Sequence, residues 1–350
     1  MKAVFSATQL GHAPTRFLSL GKIVGYPDSP ERARRLLQGA RQAGAQILAA
    51  RRFEPAKFDD VHLLAYLAFL RGAFEEWEKI DGAGPELMPS LRPVVRPLAR
   101  CPHILGRAGM FLMDFSCPIT AETWKAVSAS AMTALTAADL VAKGEKVSYA
   151  LCRPPGHHAY ANRASGFCYL NNGALAAERL RDHHERVAFL DIDVHHGNGT
   201  QAIFYDRPDV LTVSIHADPA AFYPFYWGSA EETGDDEGEG YNLNLPLPVG
   251  AGDDQWLKAL DTALERIRKF APGAMVLALG LDAHEADPLK GGKVTTAGFA
   301  RIAAEIASLS LPTVIVQEGG YLTDHLADNL AMFLTSYEGA LKPPVDATAE

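Results

Sequence analysis

Residues 187–199 read Val187-Ala188-Phe189-Leu190-Asp191-Ile192-Asp193-Val194-His195-His196-Gly197-Asn198-Gly199, an apolar run that breaks abruptly into carboxylates and imidazoles. A short run that is apolar throughout suits a strand buried on both faces, as in a parallel sheet. Four other segments are built the same way: 147–152 leads into Arg153 to His158, 210–215 into His216, 275–279 into Asp282, and 313–316 into Glu318 to Tyr321. Between them, 31–42, 124–140, 174–181, 256–270 and 299–309 carry helical composition and spacing, and Pro30 suits a helix start. Strands alternating with helices predict an α/β fold in which a central parallel sheet is covered by helices on both faces. Ligands of such sheets bind at the carboxyl ends of the strands, so the five polar segments should converge on one rim.

The 350 residues are read as a single domain, 1–350. Hydrophobic residues at 48% and charged residues at 21% are enough for a substantial core and argue against disorder. Lys plus Arg total 33 against 42 Asp plus Glu, a formal charge of -9, and no basic block stands out, which disfavours nucleic acid as a partner. No run reaches the roughly 18 apolar residues of a membrane span, and the start Met1-Lys2-Ala3-Val4-Phe5-Ser6 lacks a long apolar stretch. The expectation is a cytoplasmic protein with no membrane partner. Cys101, Cys117, Cys152 and Cys168 have no Cys-x-x-Cys spacing and are read as reduced, Cys152 and Cys168 as small packed hydrophobes. At about 82–119, Pro85, Pro89, Pro93, Pro97, Pro102 and Pro118 suggest a long excursion near a site, and 235–239 an acidic solvated loop.

Asp191, Asp193 and His195 alternate, which on an extended backbone puts them on one side. Buried carboxylates at the end of an apolar strand need cations or hydrogen bonds, so a metal is the economical explanation. Catalytic zinc usually keeps three protein ligands and an open fourth position. Asp282, after Leu279-Gly280-Leu281, is the choice for the third, with His284 as the alternative. His157 and His158 follow a stiff Arg153-Pro154-Pro155-Gly156 turn, and imidazoles titrating near pH ~6.5 suit proton transfer. The pair His183-His184, at the polar end of a helical segment, is read as plain surface. Tyr321 follows two glycines that permit close backbone approach.

In order and spacing, Arg153-Pro154-Pro155-Gly156-His157-His158, Gly166-Phe167-Cys168-Tyr169-Leu170-Asn171-Asn172, 191–201 and Glu318-Gly319-Gly320-Tyr321 resemble the signature of the histone deacetylase and acetylpolyamine amidohydrolase family, in its bacterial, class II-like branch. The likeness runs from about residue 1 to residue 340. It implies the arginase/deacetylase-like fold and a zinc-dependent amidohydrolase releasing acetate and an amine. Asp193, His195 and Asp282 would hold Zn2+, His158 would be general base and then acid, His157 would pair with Asp191, and Tyr321 would donate to the oxyanion. A K+ ion would sit on Asp191, Ser214 and Ile215 with backbone oxygens of Asp193 and His195. Gly166, Phe167, Tyr223, Leu289 and Gly320 would line the substrate channel. Asn198 stands where some relatives have a carboxylate behind the second histidine, which makes His158 less basic.

The substrates implied are small acylated amines or amides such as acetylpolyamines, with protein acetyl-lysine as the alternative. Remoter readings are a dimanganese ureohydrolase, which needs more carboxylate ligands, and a non-catalytic acyl-amine binding protein, which would be expected to have lost Tyr321 or a ligand. Relatives that cleave polyamines assemble as homo-oligomers, and a dimer or tetramer is expected. Those relatives carry an acid where Ser116 stands here, with Asp114 the nearest carboxylate, so these two residues are the selectivity candidates.

Overall fold

The computed structural model describes residues 1–93 and 101–341, so Pro97 and the last nine residues lie outside the described residues. In chain order the strands are β1 (Lys2–Phe5), β2 (Arg16–Ser19), β3 (Lys22–Gly25), β4 (Gln46–Ala49), β5 (Val147–Ala150), β6 (Val187–Asp191), β7 (Val210–Ala217), β8 (Asn242–Leu247), β9 (Ala251–Gly252), β10 (Ala274–Leu279), β11 (Gly292–Lys293) and β12 (Thr313–Gln317). The helices are α1 (Pro30–Gln42), α2 (Leu64–Trp77), α3 (Ile104–Phe111), α4 (Thr123–Ala142), α5 (Asn172–Arg181), α6 (Asn198–Phe204), α7 (Asp253–Phe270), α8 (Thr296–Ala307) and α9 (Leu326–Ala340). Eight strands form one sheet in the order β4-β1-β5-β12-β10-β6-β7-β8, and every pairing in it is parallel. β2 and β3 form a separate antiparallel hairpin.

The inner strands β5, β6, β7, β10 and β12 are buried at every position, as a parallel sheet packed on both faces requires. One hydrophobic core joins the sheet to α1, α7, α8 and α9, and a second joins the other face to α2, α3, α4, α5 and α6. The sequence pattern had not singled out β1, β4 and β8. β4 and β8 edge the sheet and are half exposed, so neither is a continuous apolar run. The described part of the 82–119 segment is also more regular than its proline content suggests. It carries α3, and Leu87 bridges Ile119 to bring its two ends together.

Topology places the site. The chain leaves β5, passes β12 and β10, and resumes at β6, so the carboxyl ends of these four neighbours face one crevice. Their continuations hold Arg153 to His158, Asp191 to His196, Asp282, and Glu318 to Tyr321. His216 departs from the expectation: β7 runs on to Ala217, and His216 sits inside it, bonded to Ser214 Oγ and the Gly228 carbonyl behind the rim. No helix among the described residues is long and apolar enough to cross a membrane.

Candidate active site

β6 ends at Asp191, and the chain then bends instead of continuing as the extended run read from the alternation. The polar side chains make the bend themselves. Asp191 Oδ1 accepts from the amide of Asp193, and Asp193 Oδ1 from the amide of His195, at 3.0 and 2.9 Å. The bend still brings the alternating groups together. His195 Nδ1 lies 3.0 Å from Asp193 Oδ1 and 3.1 Å from Asp282 Oδ2, and the donor atoms of the three residues lie within 4.8 Å of one another. Asp193 Oδ2 takes the Gly319 amide at 2.7 Å and Asp282 Oδ1 the Val194 amide at 3.1 Å.

This set fits a divalent cation. One imidazole nitrogen faces two fully buried carboxylates, and no lysine or arginine among the described residues hydrogen-bonds either one. Two nearby carboxylates out of water need a positive charge between them. Burial, with Asp193 next, pushes Asp282 above the usual carboxylate range. Burial disfavours a charged His195, but Asp193 and Asp282 outweigh it and lift the imidazole to about 9. His284 points elsewhere: its Nδ1 accepts from the Ala286 amide, and its ring lies against His325 and Phe299. A second buried trio, His157, Cys168 and Glu318, fits a metal less well. His157 Nδ1 is held by Asp191, Glu318 Oε2 accepts two amides, and burial with Glu318 keeps the Cys168 thiol protonated.

The two vicinal histidines differ in their partners. His157 Nδ1 lies 2.9 Å from Asp191 Oδ2; burial opposes its charge, yet Asp193 and Asp191 raise it to about 10. His158 Nδ1 lies 2.6 Å from Asn198 Oδ1, and burial together with the neighbouring His157 and His195 drives its pKa well below the usual value. The two imidazoles are thus pushed in opposite directions, His157 toward the protonated form and His158 toward the free base. Tyr321 is buried and its phenol is pushed well above its usual pKa by burial, so it stays a donor.

His158, His195 and Tyr321 face a pocket of about 400 Å³ whose lining also includes Asp114, Ser116, Gly166, Phe167, Tyr223 and Leu289. Gly166 and Phe167 both have left-handed backbones, φ 54° and 68°, and a methyl at Gly166 would strike the His158 ring. Phe167 and Tyr321 meet edge to face at 6.0 Å. Asp114 joins the two walls. Its Oδ2 takes the Tyr223 hydroxyl at 2.7 Å and the Gly166 amide at 3.2 Å, and its Oδ1 takes the Ser116 amide at 2.9 Å. Asp191 and Ser214 line a separate cavity of about 10 Å³ behind the rim.

Residues 26–337 match the histone deacetylase domain family. The chain belongs to the histone deacetylase family. It is 45% identical to an acetylpolyamine amidohydrolase of Burkholderia pseudomallei over 98% of this chain and 100% of that relative, and 37% identical to an acetylpolyamine amidohydrolase of Mycoplana ramosa over 97% and 100%. Among solved structures, the crystal structure of the acetylpolyamine aminohydrolase from Burkholderia pseudomallei superposes with a TM-score of 0.94 at 44% identity, covering 97% of this chain and 99% of that one. The HDA15 HD domain gives 0.80 at 27% identity, covering 98% and 90%. The sheet and its flanking helices are thus those of histone deacetylase family structures, a metal-dependent family of hydrolases.

The sequence reading assigns Glu318 no role beyond its motif and does not single out Arg32 or Asp287. Glu318 Oε2 holds the amides of Gly156 and His157 at 2.6 and 3.0 Å, tying the histidine turn to β12. Arg32, fully buried on α1, donates to the carbonyls of Glu318 and Gly320 and lies over the Tyr321 ring at 5.3 Å. Asp287 accepts the Tyr321 amide at 2.8 Å. Arg32 is one of four arginines in 32–41, and only its depth of burial separates it from the others. The β2–β3 hairpin adds Phe17 to Leu20 to the pocket lining, a contribution that no local residue pattern announces.

Proposed function

We propose that this chain is a zinc-dependent hydrolase of small acylated amines, releasing acetate and the free amine, with Asp193, His195 and Asp282 as the zinc ligands. The observation that carries the reading is this buried trio beside one neutral imidazole and one phenol, with His195, His158 and Tyr321 lining the same pocket. A bound zinc would supply a Lewis acid for the acyl oxygen and acidify the attacking water. His158 keeps Nε2 as a lone pair because its Nδ1 donates to Asn198; it takes the proton of the attacking water and returns it to the departing nitrogen. His157, charged and paired with Asp191, stabilises negative charge gained at the centre. Tyr321 donates its hydroxyl hydrogen to the carbonyl oxygen as that oxygen gains charge. Phe167 and Tyr223 hold the apolar stem, with Leu289 at the mouth; Gly320 lies outside the pocket lining, its left-handed backbone packed against Leu281. The residues that would hold a potassium ion on the same reading are Asp191, Ser214 and Ile215 with the backbone oxygens of Asp193 and His195; of these, Asp191 and Ser214 line the small cavity.

The relatives are named for acetylpolyamines, and the hairpin and the residues following α3 crowd the pocket, which supports small substrates over long peptides. Asp114 already accepts from Tyr223, Ser165, Gly166 and Ser116, so its hydrogen-bonding capacity is spent inside the protein, and Ser116 adds no charge. Uncharged amides should therefore compete with acetylpolyamines. The protein acts in the cytoplasm as a homo-oligomer, dimer or tetramer, on this reading. The test uses zinc-loaded enzyme, assayed for kcat/KM on acetylputrescine, a neutral N-alkyl acetamide and an acetyl-lysine peptide. Both small substrates should exceed the peptide, and chelation should abolish turnover until zinc is restored. A clear preference for the peptide refutes the substrate class, and turnover unaffected by chelation refutes the zinc reading.

A further inference from the structure

The carboxylate that some relatives place behind the second histidine is an amide here, and an amide, unlike a carboxylate, has a right and a wrong way round. If Asn198 presents Oδ1 to His158, the imidazole carries its hydrogen on Nδ1 and Nε2 is the base. Turned over, the amide would donate to Nδ1, and the neutral ring would carry its hydrogen on Nε2, where no proton can be accepted. Something must fix the orientation. Asn198 is fully buried, and its Nδ2 donates to two phenols, Tyr226 at 2.6 Å and Tyr160 at 3.1 Å. The two hydroxyls also bond each other at 2.8 Å, and Tyr226 donates to Met113 Sδ at 3.6 Å.

We infer that Tyr160 and Tyr226 are positioning residues that hold Asn198 with its carbonyl toward His158 and thereby select the basic tautomer. In the observed orientation both amide hydrogens reach a phenol oxygen and the carbonyl receives the imidazole hydrogen. In the reversed orientation one amide hydrogen meets His158 and the other loses its phenol acceptor, and a buried unsatisfied donor is costly. Neither tyrosine lines the pocket, so neither acts by touching substrate. They come from separate parts of the chain, Tyr160 beyond the histidine pair and Tyr226 beyond the wall residue Tyr223. Tyr160 is steadied by stacking on Trp227, rings parallel to within 4° at 6.3 Å.

The inference rests on His158 being the base, and the experiment separates the two. Tyr160→Phe combined with Tyr226→Phe keeps both rings and removes both acceptors. In the zinc-loaded enzyme the pair should lower kcat about tenfold or more, the usual scale for partners that orient a reacting group, with KM changed less than twofold. The deciding arm repeats the pair in an Asn198→Asp background. A carboxylate accepts from Nδ1 whichever oxygen it presents, so there the two phenylalanines should cost less than twofold relative to Asn198→Asp alone. An unchanged kcat in the native background, or an equal loss in both backgrounds, overturns the inference. His158→Ala is the control: if it retains turnover, the role of His158 itself fails. If it abolishes turnover while the double phenylalanine variant does not lower kcat, only the tyrosine role fails.

Discussion

Replacing Gly319 with alanine adds one methyl at the tightest place in the site. A Cβ there would lie 2.5 Å from Asp193 Oδ2 and closer still to Asp282 Oδ2, where ordinary contact begins near 3.4 Å. The backbone of Gly319 is not left-handed, so the substitution brings no conformational strain and the effect is steric alone. The loop cannot simply back away. The Gly319 amide is bonded to Asp193, its carbonyl accepts from Gln317 Nε2 at 2.7 Å and from the Leu281 amide at 3.1 Å, and Arg32 grips the carbonyls on either side. Both carboxylates must therefore retreat by about an ångström, a displacement that can cost about 10²-fold in turnover. The assay is zinc per chain by mass spectrometry after loading and dialysis, alongside kcat and thermal unfolding. Gly319→Ala should hold less than one zinc and lose about two orders of magnitude in kcat while still unfolding cooperatively. A full complement of zinc with turnover within twofold of the native chain would refute both the crowding argument and the ligand assignment.

Tyr321→Phe keeps the ring against Phe167 and Arg32 and removes only the hydroxyl, so kcat should fall about 10²–10³-fold with KM nearly unchanged, read from steady-state kinetics. His158→Ala should cost at least as much. Asp282→Ala should lose bound zinc, measured on the purified chain, and full metal content with native turnover would disprove its place in the trio. Acid stability should follow the histidines buried uncharged, among them His12 and His62: burial and the charge of Arg153 lower His12 to about 3, and burial lowers His62 to about 4. Below about pH 6.5 the unfolded chain binds protons that the folded chain does not, so stability falls as pH drops toward 4, by about 1.4 kcal/mol per pH unit for each histidine. His62→Gln should flatten the slope by one proton in denaturant titrations, and an unchanged slope would show that His62 is not the group responsible.

The sequence by itself determined the parallel α/β class, because strands buried on both faces must be apolar throughout and β5, β6, β7, β10 and β12 are. It also determined the chemistry on offer at their ends, since an unpaired carboxylate or imidazole there would be too costly without a use. Tertiary structure decided what local pattern cannot encode. The half-exposed edge strands β4 and β8 owe their pairing to neighbours far along the chain. Arg32 and Asp287 became part of the site only when folding brought α1 and the loop after β10 against the Gly319–Tyr321 turn. The roles of the two histidines diverged for the same reason. The chain writes them side by side, and their opposite proton affinities follow from what the fold sets around each: Asp193 and Asp191 raise His157 against its burial, whereas burial with the neighbouring His157 and His195 lowers His158 despite its bond to Asn198.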